Sequence, residues 1–331
     1  MASAGSGLVW RWDGALRGLL YALPAAAVAP HDPSQSMSLA VGLLPAVAIG
    51  LPPTRRGRFA VLVVGVCAAL SILAGSLLVQ LPWLAVAGLF VLAVAAALLA
   101  ARRRVGVLAM SLCLPLVGAG LSYDDVSSAL GVTALIACGS LYAYLLSLPW
   151  PLPTQPPATA PTATAPRPPL DRDHALDYGL RLGAAGAAAA ACGLALAPTH
   201  PGWPVVAALM VMRPVADMQR LRSVGRVLSV LVGGVAALLL LRADPPNPVY
   251  GLAVLLAIVA ATATQASRWY VLPAVPTFLV LLLLLHTDPA QAHGRFNERV
   301  GATVVGVALA YLFGLLLPRW TRRRRVSPPR A

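Results

Sequence analysis

The sequence contains no lysine, and a single glutamate, Glu298, accompanies its aspartates. Without lysine there is no Walker-type phosphate loop, which excludes ATP hydrolysis by that route. Charged residues of all kinds make up only 11% of the 331 positions, against roughly 25% in an ordinary soluble domain. So few charges cannot cover a protein surface in water, whereas lipid accepts apolar side chains without cost. The four cysteines, Cys67, Cys113, Cys138 and Cys192, lie inside apolar runs with no CxxC spacing. Neither a metal site nor a disulfide framework is therefore expected, and they read as buried small hydrophobes. HExxH, G-x-S-x-G and paired carboxylates within an apolar run are also missing. No catalytic residue, metal or cofactor is predicted, and the chain does not read as an enzyme.

What the chain has in quantity is apolar sequence, at 59% hydrophobic residues. Apolar segments recur at about residues 16–30, 37–51, 59–79, 83–101, 105–122 and 126–148. They resume at 176–197, 203–216, 224–241, 249–264, 270–286 and 298–317. A helix needs about 20 residues to cross a bilayer. The second and eighth segments are the weakest and hold Pro45 and Pro204, so these two are expected to be short, broken or re-entrant. Arg11 and Arg17 followed by Leu19 to Ala29 resemble a secretory signal. Cleavage there would leave Pro30 first, so the segment reads as a retained span.

The net charge of +14 comes from arginine alone. These arginines cluster between apolar runs without interleaved stacking aromatics, which argues against nucleic acid as a partner. Only Arg242, Arg295 and Arg299 fall in odd-numbered connections, so the positive-inside rule puts both termini in the cytoplasm. Trp10, Trp12, Trp83, Trp150, Trp203, Trp269 and Trp320 fall at segment ends, as interface anchors do. Arg319 and Arg322 to Arg325 form a basic tail suited to anionic lipid.

Residues 149–170 hold nine prolines, which exclude a helix and favour an extended cytoplasmic linker. The flanking stretches, 1–148 and 171–318, resemble each other. Gly57-Arg58 leads to Gly65 as Gly225-Arg226 leads to Gly233. Gly131-Val132-Thr133 leads to Tyr142 and Pro149 as Gly301-Ala302-Thr303 leads to Tyr311 and Pro318. Leu16-Arg17 matches Leu180-Arg181 more weakly. A shared order at nearly constant offset favours duplication. The predicted fold is an all-α membrane protein of about 12 transmembrane helices, ten at the lower bound. It is organised as two parallel six-helix repeats joined by the proline-rich linker, with residues 319–331 as the basic tail. An internal pair could replace a dimer, and a homo-oligomer is also open.

In the second half, Pro201-Gly202-Trp203 opens a segment and Arg213-Pro214 closes it. Arg220, Arg222, Arg226 and Gly233-Gly234 follow. This pattern resembles the fusaric acid resistance and aromatic acid exporter family of bacterial membrane proteins, most clearly over residues 175–318. The plant aluminium-activated malate transporters look like more distant relatives. The resemblance implies six spans, a cytoplasmic region and six more, and export of small organic anions such as aromatic carboxylates.

Arg58 and Arg226, at matched positions, have two open readings. They could be anchors that snorkel to the headgroups, or a pair of guanidiniums holding a carboxylate. Arg222 lies one turn before Arg226 on the same face, and Trp203, Tyr142 and Tyr311 complete the candidate substrate-binding set. Asp177 and Glu298, acids at segment boundaries, are candidates for proton coupling or for local ion pairs. His31, His200, His286 and His293 are expected in external loops. Pro115 and Pro276 are candidate kinks. Rival functions are a passive organic-anion channel and a non-transporting membrane scaffold or regulator. Export is separated from a channel by its response to proton uncouplers.

Overall fold

Helix formation follows the apolar segments. The computed structural model describes residues 9–52, 54–102, 104–151, 172–196, 199–265 and 274–318. The basic tail and nearly all of the linker lie outside these. The first six segments form α1 (Trp12–Val28), α2 (Pro33–Ile49), α3 (Arg55–Val79), α4 (Pro82–Arg102), the pair α5 (Arg104–Leu108) and α6 (Leu114–Gly120), and α7 (Val126–Ser147). The second six form α8 (Arg172–Ala195), α9 (Trp203–Val211), α10 (Ala216–Arg242), α11 (Pro248–Ala263), α12 (Ala274–Thr287) and α13 (Ala292–Tyr311). No strand occurs among the described residues. Five helices are long and apolar enough to cross a membrane: Arg55–Val79, Pro82–Arg102, Val126–Ser147, Ala216–Arg242 and Pro289–Leu316.

The two weak segments behave differently. With nine residues, α9 is about 14 Å long, too short for a hydrocarbon core of about 30 Å. Its Pro204 sits in the first turn, where a missing N–H costs nothing. By contrast α2 runs unbroken through Pro45. Pro115 follows a π turn, Ala109–Cys113, that joins α5 to α6. Leu114 donates its N–H to the Ala109 carbonyl, five residues back. Widening the helix there accommodates a proline ring that would otherwise strike the preceding turn. Aspartates cap two of the helices. Asp32 accepts from the Gln35 N–H at 2.9 Å to start α2. Before α7, Asp125 accepts from the Ser128 N–H at 2.8 Å. Hydrogen bonds from Ser127 and Ser128 hold the Asp125 carboxyl well below the usual carboxylate range.

Packing divides the chain into two units, and neither coincides with a sequence half. Unit 1 comprises residues 1–70, 130–165 and 228–297; unit 2 comprises 71–129, 166–227 and 298–331. In unit 1, α1 packs on α11, and α2 on α1 and α12. Gly14 and Gly18 bring α1 against α11; a Cβ at Gly18 would lie 2.8 Å from the Val259 Cα. Ser140 of α7 donates to the Gly42 carbonyl at 2.6 Å and ties α7 to α2. In unit 2, α8 packs on α4, and α9 on α8 and α6. Gly179 and Gly183 repeat the small-xxx-small pattern, which lets backbones approach closely in lipid. A Cβ at Gly183 would lie 2.9 Å from the Phe90 carbonyl oxygen.

Large apolar side chains on many helices are exposed, among them Phe59, Leu70, Val91, Leu221, Val232 and Leu252. Such a surface suits acyl chains, not water. Cys67 and Cys138 are exposed as well. The expectation that they are buried therefore fails, because in lipid an outward-facing thiol carries no penalty.

Candidate anion site

Helix α10 is amphipathic in the reverse of the soluble sense. Gln219, Ser223 and Arg226 are buried, at successive spacings of four and three residues, while Leu221, Val224 and Leu228 are exposed. Gln219 and Ser223 make their hydrogen bonds within unit 2. Gln219 donates through Nε2 to the Ala310 carbonyl at 2.6 Å, joining α10 to α13. Ser223 donates to the Gln219 carbonyl at 2.9 Å. Arg226 lies ten residues into α10, about 15 Å along it, and is only 9% exposed.

Arg299, in α13 of the same unit, is also buried, at 7% exposed. Its guanidinium carbon lies 4.8 Å over the Trp203 ring. His200 stacks on Trp203 with ring centroids 3.9 Å apart and planes 6° from parallel. An imidazole so placed covers one face of the indole, which leaves the other face to Arg299. Both faces of Trp203 are therefore occupied. Glu298 accepts from the His200 backbone N–H at 2.8 Å, and its other oxygen lies 3.2 Å from His200 Nδ1. The carboxylate is thus engaged by His200. Arg299 Nε, although buried, has no hydrogen-bond partner among the described residues.

The remaining sequence candidates scatter. Arg58, fully buried in unit 1, donates to the carbonyls of Ser147, of Leu148 at 3.2 Å and of Trp150 at 2.9 Å. It caps the carbonyl end of α7, where a cation is favoured. Although Arg58 and Arg226 match in sequence, their environments differ. Tyr142 donates its hydroxyl to the Leu20 carbonyl at 2.8 Å, binding α7 to α1. Tyr311 is exposed and lines an open apolar groove with Val227, Val304 and Val307. Asp177 is exposed and pairs with Arg181 one turn on, matching Asp13 and Arg17 in α1. Arg222, half-buried, stands near Arg213 and Tyr178. In the turn between α9 and α10, burial lowers the pKa of the Arg213 guanidinium from its ordinary value.

Structure thus brings Trp203 and Glu298 together and adds His200, Arg299 and Gln219, which sequence reasoning missed. A signal existed for Gln219: together with Ser223 and Arg226 it marks one polar helical face in an otherwise apolar segment. His200 is not a simple loop residue, and His286 is not one either, since it stacks on Tyr250 from the last turn of α12. No cluster of three metal-ligating side chains occurs among the described residues.

The family model described as fusaric acid resistance protein-like matches residues 185–313. That stretch contains Trp203, Gln219, Arg226, Glu298 and Arg299. No curated protein and no solved structure matches the chain. With its apolar helices, this is a multi-pass helical membrane protein, similar over residues 185–313 to the family described as fusaric acid resistance protein-like.

Proposed function

We propose that the protein is a membrane transporter that exports small organic anions, aromatic carboxylates in particular, from the cytoplasm. The observation that carries this reading is the inward polar face of α10, with Arg226 buried inside a helix whose outer face is apolar. An arginine costs roughly 2.5–3.5 kcal/mol at a bilayer centre, so a buried arginine on a polar helix face suits a path for anions. The arginine distribution supports cytoplasmic termini and a cytoplasmic linker. The pairing of α1 with α11 and of α8 with α4 supports two like-oriented repeats. In both cases the first helix of one half meets the fourth of the other.

Purified protein in vesicles loaded with benzoate tests the proposal. Arg226→Ala should lower benzoate efflux roughly tenfold, the equivalent of about 1.4 kcal/mol, with unchanged protein abundance. Equal flux in both proteins would remove the reading. Glu298 is the proposed site of proton coupling, because its carboxylate lies 3.2 Å from His200 Nδ1 in unit 2. Collapse of the proton gradient should slow the wild type and leave Glu298→Gln unaffected. A passive channel would follow voltage alone in both.

A further inference from the structure

Resting on the reading of Glu298 as the coupling acid, we propose that His200 carries the proton and that the pair is an acid-operated latch. It joins the turn before α9 to α13, with Trp203 as the positioning residue for the imidazole. Glu298 grips the turn twice, at the His200 backbone N–H and at Nδ1. Against a carboxylate Nδ1 keeps its hydrogen as donor, so the titrating proton enters and leaves at Nε2. Protonation then sets a cation against an acceptor that is already charged, and the hold tightens. The parallel indole, 3.9 Å away, fixes the plane of the ring and favours its cationic form. Arg299 opposes that charge, but Trp203 stands between them, whereas the carboxylate is in direct contact at 3.2 Å. Attraction therefore wins at His200. The other elements around the turn are α8, which presents Gly193 to Pro201, and the α6–α7 turn, whose Ser122 accepts from the Gly202 N–H at 3.3 Å. The titratable groups of the α6–α7 turn are Tyr123, Asp124 and Asp125. Both aspartates are exposed, and Asp125 is taken up by Ser127 and Ser128. The His200 and Glu298 side chains are 16% and 18% exposed, open to protons yet poorly screened by water. About two turns further along α13, Gly306 lies against the Pro204 carbonyl, a contact that no proton alters. With the cytoplasmic termini proposed above, external acid fixes the start of α9 to α13, and rising pH loosens that end alone.

Trp203 reports the latch, because an imidazolium in van der Waals contact draws an electron from excited indole and quenches it. Full-length protein with the other six tryptophans replaced by phenylalanine is titrated in detergent from about pH 8 to about pH 5, the range in which imidazole changes charge. Emission should fall in one single-proton step. His200→Gln should abolish the step. Glu298→Gln should move it about one pH unit toward acid, a roughly tenfold loss of proton affinity. Should the six replacements unfold the chain, the pH-dependent difference in emission between the parent with all its tryptophans and His200→Gln gives the same reading. Stability gives a second one. A cation held by a carboxylate in the folded state stabilises it at acid pH, and the gain is lost as pH rises through the step. The melting temperature of the parent relative to His200→Gln should therefore fall as pH rises, and this difference should shrink in the Glu298→Gln background. A flat emission titration, a step that survives in His200→Gln, or a melting temperature with the same pH dependence in parent and His200→Gln overturns the latch. If the step is present but vesicles show no benzoate flux, the latch stands and the transport reading fails. Arg226-dependent flux without the step has the opposite meaning.

Discussion

Two arginines in the same short motif stand in different surroundings. Arg58 spends its guanidinium on the carbonyls that end α7, whereas Arg226 is buried on the polar face of α10 with Gln219 and Ser223. The difference arises from what each helix meets, since the flanking glycines are alike. Arg58→Gln should destabilise the protein by about 1–3 kcal/mol, the cost of leaving buried backbone groups unpaired. That loss would appear as a lower unfolding temperature in detergent and lower abundance. Any benzoate flux per folded molecule should be preserved. Arg226→Ala is expected to show the reverse pattern, so the pair separates a structural cation from a functional one.

At the scale of the helix, glycine spacing decides contact. Gly18 in α1 and Gly183 in α8 each lie against another helix so closely that a Cβ would meet backbone atoms. Gly131 has nothing within 4 Å of the Cβ position. Gly183→Leu should therefore lower thermal stability in detergent by several kcal/mol, in the range of an overpacked core or worse. Gly131→Ala should leave it unchanged or raise it by up to about 1 kcal/mol through helix propensity. Equal effects at the two positions would contradict the helix contact. Proline is a poorer guide than glycine at this scale. Pro45 interrupts nothing, Pro204 opens a short helix, and Pro115 is absorbed by a π turn.

For the whole molecule, the consequential fact is that each packing unit draws helices from both sides of the linker. Neither sequence half can bury its glycine-rich faces alone: α1 needs α11, and α8 needs α4. Residues 1–160 or 161–331 expressed singly should be degraded or aggregate. Co-expressed as two chains, they should assemble, be extracted together and melt cooperatively. A stable, monodisperse half on its own would refute this dependence.

The sequence by itself determined the solvent, the helices and the family resemblance, because long apolar runs, scarce charge and clustered arginine leave lipid as the only medium that fits. It also supplied Trp203, Glu298 and Arg226 as separate candidates. Which side chains meet was decided only by tertiary structure. The His200–Glu298 contact links residues 98 apart, and no local pattern encodes so distant a pairing. Likewise Arg58 became a cap, and the helices of the two halves interleaved, because small residues on α1 and α8 find their close-packing partners across the linker.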